Sequence, residues 1–193
     1  MKKKIAIFIS GRGSNMKAIV EQCQKGILKD LAQIELIFAN KASAAGLEFA
    51  RNEGFETQYI NSKGLKRLDF DIQVIELLKA YKLDYILLAG YMRVLSPSFV
   101  QAYQGRIINV HPADTQLHQG LHAYEWAFEQ QLAQTKITVH YVDEGMDTGG
   151  VIGQAEVDLR GVQSLEEVEK RGLSVEHKFY SQVIRELILN ETK

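Results

Sequence analysis

The chain has 193 residues, 46% of them apolar and 24% charged, with a formal net charge of −1. That length and mixture suit one domain with a substantial core of its own, and the near-zero charge gives no reason to expect nucleic acid or a membrane as the main partner. A single cysteine, Cys23, excludes an internal disulfide framework. No apolar run reaches the length of a membrane span, and the stretch 5–9 after Lys2-Lys3-Lys4 is too short for a signal-peptide core. The expectation is a cytoplasmic protein.

Residues 5–9 form a short continuous apolar run, the pattern of a strand buried on both faces. Residues 15–23 carry Met16, Ile19 and Val20 at helical spacing, and Cys23 falls in the same helix as buried filler rather than nucleophile. A second strand is expected over 34–38 and a second helix over 43–52, with Ser43 as its N-cap. A strand at 57–60 precedes a helix at 67–81, whose apolar positions include Ile72, Ile75 and Leu78. Strands at 85–89 and 107–110 follow. After an irregular stretch come a helix near 122–131, strands near 137–142 and 151–157, and a last helix from about 165 towards 189. Gly172 inside that helix costs about 1 kcal/mol relative to alanine. Repeated strand-helix units imply a single Rossmann-like α/β domain over 1–193, a mostly parallel sheet with right-handed crossovers and helices on both faces.

The chemistry-bearing residues sit at strand ends. Asn109 and His111 are two apart on one strand, so their side chains share a side. An amide donor beside a titratable ring suits acyl transfer, one group for a developing oxyanion and one for a proton. The other reading of the pair is a capping amide and a core histidine that meet nothing. Asp147, in Asp147-Thr148-Gly149-Gly150, adds a carboxylate at a further junction. The turn Ser10-Gly11-Arg12-Gly13-Ser14-Asn15 joins the first strand to the first helix, where backbone N–H groups and the helix N-terminus favour an anion. Met16 stands where a dinucleotide fingerprint needs a small residue, and the second strand ends in Asn40-Lys41 without a ribose-binding acid. A single phosphate on a small substrate fits better than a nicotinamide cofactor. Residues 89–95 can line a slot for a flat heterocycle, or simply pack. His140 reads as a satisfied core residue and Glu176 as a solvated acid. Without an HExxH pattern or cysteine cluster, no metal is expected.

Taken together, Gly11-x-Gly13-Ser14-Asn15, Leu88-Ala89-Gly90-Tyr91-Met92-Arg93, Asn109-Val110-His111-Pro112 and Asp147-Thr148-Gly149 resemble the phosphoribosylglycinamide formyltransferase family, along essentially the whole chain. The resemblance implies transfer of a formyl group from 10-formyltetrahydrofolate, as co-substrate, to the amine of glycinamide ribonucleotide, by a monomer or homodimer without metal. It assigns catalysis to Asn109, His111 and Asp147, and ribonucleotide and phosphate contacts to Gly11, Gly13, Ser14, Asn15 and Glu176. Folate contacts fall to Met92, Arg93, Val94, Leu95 and Asn109, the stretch 142–147 and, as a looser match, Arg67. Relatives with the same trio are formyltetrahydrofolate hydrolases, sugar N-formyltransferases and methionyl-tRNA formyltransferases. The hydrolases and tRNA enzymes usually carry an additional domain. Outside that chemistry stand a nicotinamide oxidoreductase and an inactive ligand-binding relative.

The chain departs from the family's pattern just past His111. A leucine-proline loop is usual there, but residues 113–119 contain no proline, and Ser181 replaces a proline after Tyr180. With only Pro97 and Pro112 in the chain, a mobile loop and weakened substrate binding are expected.

Overall fold

The computed structural model describes residues 1–191, so the last two positions of the expected domain lie outside the described residues. In chain order the elements are β1 (Lys3–Ile9), α1 (Ser14–Lys25), β2 (Ala32–Ala39), α2 (Ala45–Asn52), β3 (Thr57–Tyr59), α3 (Arg67–Leu78) and β4 (Tyr85–Leu88). They continue with α4 (Pro97–Ala102), β5 (Ile107–His111), α5 (Ala123–Glu129), β6 (Gln134–Tyr141), β7 (Val151–Asp158) and α6 (Leu165–Asn190). The strands form one sheet in the order β3-β2-β1-β4-β5-β6-β7. It is parallel from β3 to β5, while β6 pairs antiparallel with both β5 and β7.

Alternation along the strands feeds two cores. Ile5, Ile7 and Ile9 of β1 enter a cluster with Met16 and Ile19 of α1, Leu47 of α2, Ala127 of α5 and Ile184 of α6. Ala6 and Phe8 enter the opposite cluster with Phe70 and Val74 of α3 and Phe99 of α4. Each fully buried Phe or Ile of this kind contributes roughly 1.5–3 kcal/mol. A sheet covered on both faces needs apolar residues at every position, which is why β1 reads as an unbroken run. Cys23 packs against the first cluster, and burial pushes its thiol up to about 12, so it is no thiolate at neutral pH. Among the described residues no helix is long and apolar enough to cross a membrane.

The chain passes from β1 out to β2 and β3, then returns to lay β4 on the other side of β1. The reversal leaves a crevice at the carboxyl ends of β1 and β4, the usual ligand position of an open α/β sheet. The fully buried Tyr180 of α6 braces this end: its hydroxyl donates to the Ile108 carbonyl at 2.9 Å and lies 3.3 Å from that of Leu88. Ser181 lets α6 run unbroken for 26 residues where a proline would interrupt its hydrogen bonding.

Several expected boundaries move. Ser43 is exposed and is not a cap; α2 starts at Ala45 after Ala44, with no side-chain capping bond. The helix expected to reach 81 stops at Leu78, and residues 79–81 close it with turn bonds. The helix near 122–131 contracts to 123–129, with left-handed conformations at His122 before it, φ 65°, and at Gln131 past its end, φ 52°. The short α4 was not anticipated. Its start is chemically marked, with Ser96 accepting the Phe99 N–H at 3.3 Å, Pro97 in the first turn, and the buried Asp71 carboxylate accepting the Ser96 N–H at 2.5 Å.

Gly172 has a packing reason that offsets its poor helix propensity. The ring of Tyr124 lies directly over it, and a methyl group there would overlap the ring. Gly172→Ala is therefore expected to destabilise the protein by about 1–3 kcal/mol through overpacking, although propensity alone favours alanine by about 1 kcal/mol. A thermal melt decides, since a raised Tm would show that Tyr124 yields freely.

Candidate active site

A cavity of about 820 Å³ opens at the ends of β1, β4 and β5. At one end lies the turn after β1. Gly13 caps α1 in a left-handed conformation, φ 71°, with no side-chain capping bond. The first N–H groups of α1 therefore face the cavity without a side-chain partner, an arrangement suited to an anion. Arg12 and Lys41 are exposed on the same wall. Ser10 ties this end together: its hydroxyl donates to Asn40 Oδ1 at 2.7 Å and accepts the Met92 N–H at 2.8 Å. One buried serine thus locks the loops after β1, β2 and β4 to one another.

Asn109, His111 and Asp147 converge on the opposite wall. Asn109 Nδ2 donates to Asp147 Oδ1 at 3.2 Å, and His111 Nδ1 stands 3.4 Å from Asp147 Oδ2. His140 joins them from β6. It is the direct cross-strand partner of Asn109, and its Nε2 lies 3.2 Å from Asn109 Nδ2 and 3.4 Å from Asp147 Oδ1. Carbonyl oxygens only accept, which fixes the ring protons. His140 Nδ1 must carry its proton to donate to the Tyr141 carbonyl at 2.8 Å, leaving Nε2 to accept from Asn109. His111 Nε2 likewise donates to the His118 carbonyl at 3.1 Å, leaving Nδ1 toward the carboxylate.

The electrostatics suit a proton relay. Burial lowers the His111 pKa, and the Asp147 charge opposes that. Burial also pushes the Asp147 carboxyl up, but the His140 and His111 rings beside it and the Gly120 N–H at 2.8 Å outweigh it and hold Asp147 below the ordinary carboxylate range. Asp147 itself has φ 54°, a left-handed conformation that Asp and Asn tolerate better than most residues.

Of the remaining candidates, Glu176 is buried rather than solvated and lines the cavity. It accepts from Asn15 Nδ2 and, at 3.1 Å, from the Tyr124 hydroxyl. Burial raises its pKa against those two hydrogen bonds. Met92 and Val94 are exposed at the rim while Leu95 is buried. Arg93 lines the cavity too, with its guanidinium 4.6 Å from the Phe70 ring centre and Nη2 donating to the Leu65 carbonyl at 3.2 Å. Arg67 is off the cavity wall, exposed in the first turn of α3. Glu144 is the member of the stretch 142–147 that does not line it.

Sequence reading missed His140, Tyr124 and the backbone of the loop after His111. Pairing β5 with an antiparallel β6 is what aligns Asn109 with His140, and no local pattern encodes that register. Tyr124 had a signal in principle, because a glycine inside a long helix marks a close neighbour. The proline-poor loop is not simply free: Thr138 Oγ1 donates to the Ala113 carbonyl at 2.6 Å and Lys136 Nζ to Asp114 Oδ2 at 2.8 Å. Among the described residues, no group of three or more His, Cys, Asp or Glu is placed to hold a metal ion.

Residues 3–184 match the family model described as formyl transferase. The chain is 37% identical over 177 residues to the trifunctional purine biosynthetic protein adenosine-3 of Drosophila pseudoobscura pseudoobscura, covering 91% of this chain but only 13% of that protein. It is 37% identical over 191 residues to the phosphoribosylglycinamide formyltransferase of Bacillus subtilis, covering 96% of this chain and 95% of the other. Among solved structures, the phosphoribosylglycinamide formyltransferase of Bacillus halodurans superposes with a TM-score of 0.91 at 35% identity, covering 96% and 95% of the two chains.

Proposed function

Because the chain belongs to the formyl transferase family, we propose that it is a cytoplasmic enzyme that transfers the formyl group of 10-formyltetrahydrofolate to the primary amine of glycinamide ribonucleotide, a step of purine biosynthesis. The observation that carries this reading is the position of the trio in one cavity, between an uncapped helix start and an apolar rim. The ribonucleotide phosphate is taken by the N-terminus of α1 with Gly11, Gly13 and Ser14, and Arg12 and Lys41 add positive charge. Glu176, oriented by Asn15 and Tyr124, accepts from a ribose hydroxyl. Met92, Val94 and Leu95 take the folate heterocycle.

In the reaction the amine nitrogen attacks the formyl carbon and the carbonyl electron pair moves to oxygen. Asn109 donates to that oxygen, a role worth about 3–4 kcal/mol in comparable oxyanion holes. Both its amide hydrogens are engaged, one by Asp147 and one by His140, so one of these bonds is exchanged for the oxyanion. The attacking nitrogen loses a proton, the carbon–nitrogen bond to the folate breaks, and the departing folate nitrogen gains a proton. His111 carries that proton through its ring, one nitrogen of which exchanges its protein partner for substrate, and Asp147 supports the cationic form. Holding both substrates side by side supplies the rest without a covalent enzyme intermediate.

The test is an absorbance assay for deformylated folate with glycinamide ribonucleotide as acceptor. Folate release that requires the ribonucleotide is expected. Equal release without an acceptor would make the protein a hydrolase, and preference for an amino-sugar nucleotide would make it a sugar N-formyltransferase. Saturable binding of both ligands without turnover would make it an inactive relative.

A further inference from the structure

We propose that Asp114, Lys136 and Gln154 form a polar clamp that positions His111 through the loop 113–120, doing by charge what proline does by covalent restraint. The proposal concerns the site of the formyl-transfer reading and rests on it for its kinetic readout. None of the three residues lines the cavity, so none is placed to touch substrate.

The clamp spans three segments. Asp114 Oδ2 accepts from Lys136 Nζ of β6 at 2.8 Å, and Oδ1 accepts from Gln154 Nε2 of β7 at 3.3 Å. Lys136 Nζ also donates to Gln154 Oε1 at 3.3 Å, which closes a ring of partners. Gln154 Nε2 donates as well to Thr138 Oγ1 at 3.0 Å, the hydroxyl that holds the Ala113 carbonyl. The pair is shielded, with 13% of the Asp114 side chain and 34% of the Lys136 side chain exposed. The Lys136 hydrogen bond holds the Asp114 carboxyl below its ordinary range.

From this anchor the loop winds towards the catalytic groups. The Asp114 carbonyl accepts the N–H groups of Leu117 and His118, each at 2.9 Å, and its Oδ1 accepts the Gln116 N–H at 3.1 Å. One residue is therefore both the anchor and the centre of the turn. The next residues deliver two backbone atoms to the trio: the His118 carbonyl to His111 Nε2, and the Gly120 N–H to Asp147 Oδ2. The His118 ring, 4.8 Å from Trp126, steadies the carbonyl. Which nitrogen of His111 carries the proton thus depends on where Asp114 is held. With no proline over 113–119, nothing covalent restrains those dihedrals.

Two readouts on Asp114→Asn and Lys136→Met separate positioning from mere stabilisation. In imidazole 15N NMR, wild-type His111 is expected to hold its proton on Nε2, whereas both variants average between the two nitrogens. In steady-state assays, kcat per folded enzyme falls about 10- to 100-fold in either variant, the scale of a misplaced catalytic group. KM for both substrates stays within about twofold, because binding contacts are untouched. Lys136→Arg restores most of kcat, and the double variant is no worse than either single one, as expected of one shared interaction. Unchanged His111 resonances in the variants would overturn the proposal, with or without formyl transfer. A lowered Tm with unchanged kcat per folded enzyme would overturn it equally.

Discussion

Replacing His111 with alanine is expected to cut turnover by about 10²- to 10⁴-fold, the usual share of a positioned acid-base group, while the protein stays folded. The ring is buried, with 4% of the residue exposed, yet it belongs to neither main apolar cluster. Its loss removes the donor to the His118 carbonyl, which costs about 1–3 kcal/mol if that oxygen stays buried without a partner. Asn109 and His140 remain on their strands, held by backbone pairing between β5 and β6. Substrate KM values should therefore move little while kcat collapses, the signature of an interaction made mainly in the transition state. Circular dichroism and a thermal melt check the fold, and the folate absorbance assay checks the rate. Turnover close to that of the unaltered protein would remove His111 from the mechanism.

How much of this was readable in advance depends on the range of the interaction. The shared side of Asn109 and His111 follows from strand periodicity, a local property, and the structure places both on the cavity wall. The phosphate turn is equally local, because a glycine-flanked strand-to-helix junction needs no distant partner. The start of α4 was also local, since Ser96-Pro97 is a cap followed by the residue most at home in a first turn, and it was overlooked. Other features depend on pairing across the fold. Nothing near His140 in sequence distinguishes a core histidine from one facing Asn109, because the antiparallel register of β6 decides it. Glu176 reads as a solvated acid by residue type, yet it shares the face of α6 that carries the buried Val168, Tyr180 and Ile184, and Asn15 and Tyr124 supply its partners there. Composition was misleading at the loop after His111: proline-poor sequence implies freedom, but the restraint comes from Lys136 and Gln154, 22 and 40 residues away.

Asp147→Asn separates charge from shape. Asparagine tolerates the left-handed backbone at this position, φ 54°, so the backbone is preserved where alanine would strain it. The amide cannot satisfy every neighbour. Oδ1 accepts from Asn109 and Oδ2 from the Gly120 N–H, so either orientation of the new amide sets one donor against another. Turnover is expected to fall by about 10²-fold or more, within the range for a group that supports general acid-base chemistry. The pH dependence carries the sharper information. His111 already titrates below its ordinary value because burial disfavours the cation, and Asp147 opposes that shift. Removing the carboxylate leaves only the His118 carbonyl to oppose burial, so the His111 pKa falls further. If neutral His111 is the active form, the acid limb of kcat/KM moves to lower pH in the variant, even as the plateau drops. Stability changes in the matching direction. The folded-state Asp147 pKa is depressed, so its contribution is present above the unfolded value and is lost as pH falls through the folded one. The variant should thus lose stability mainly at neutral pH and converge with the parent in acid. An acid limb that stays put, or moves up, would mean that Asp147 does not set the protonation of His111.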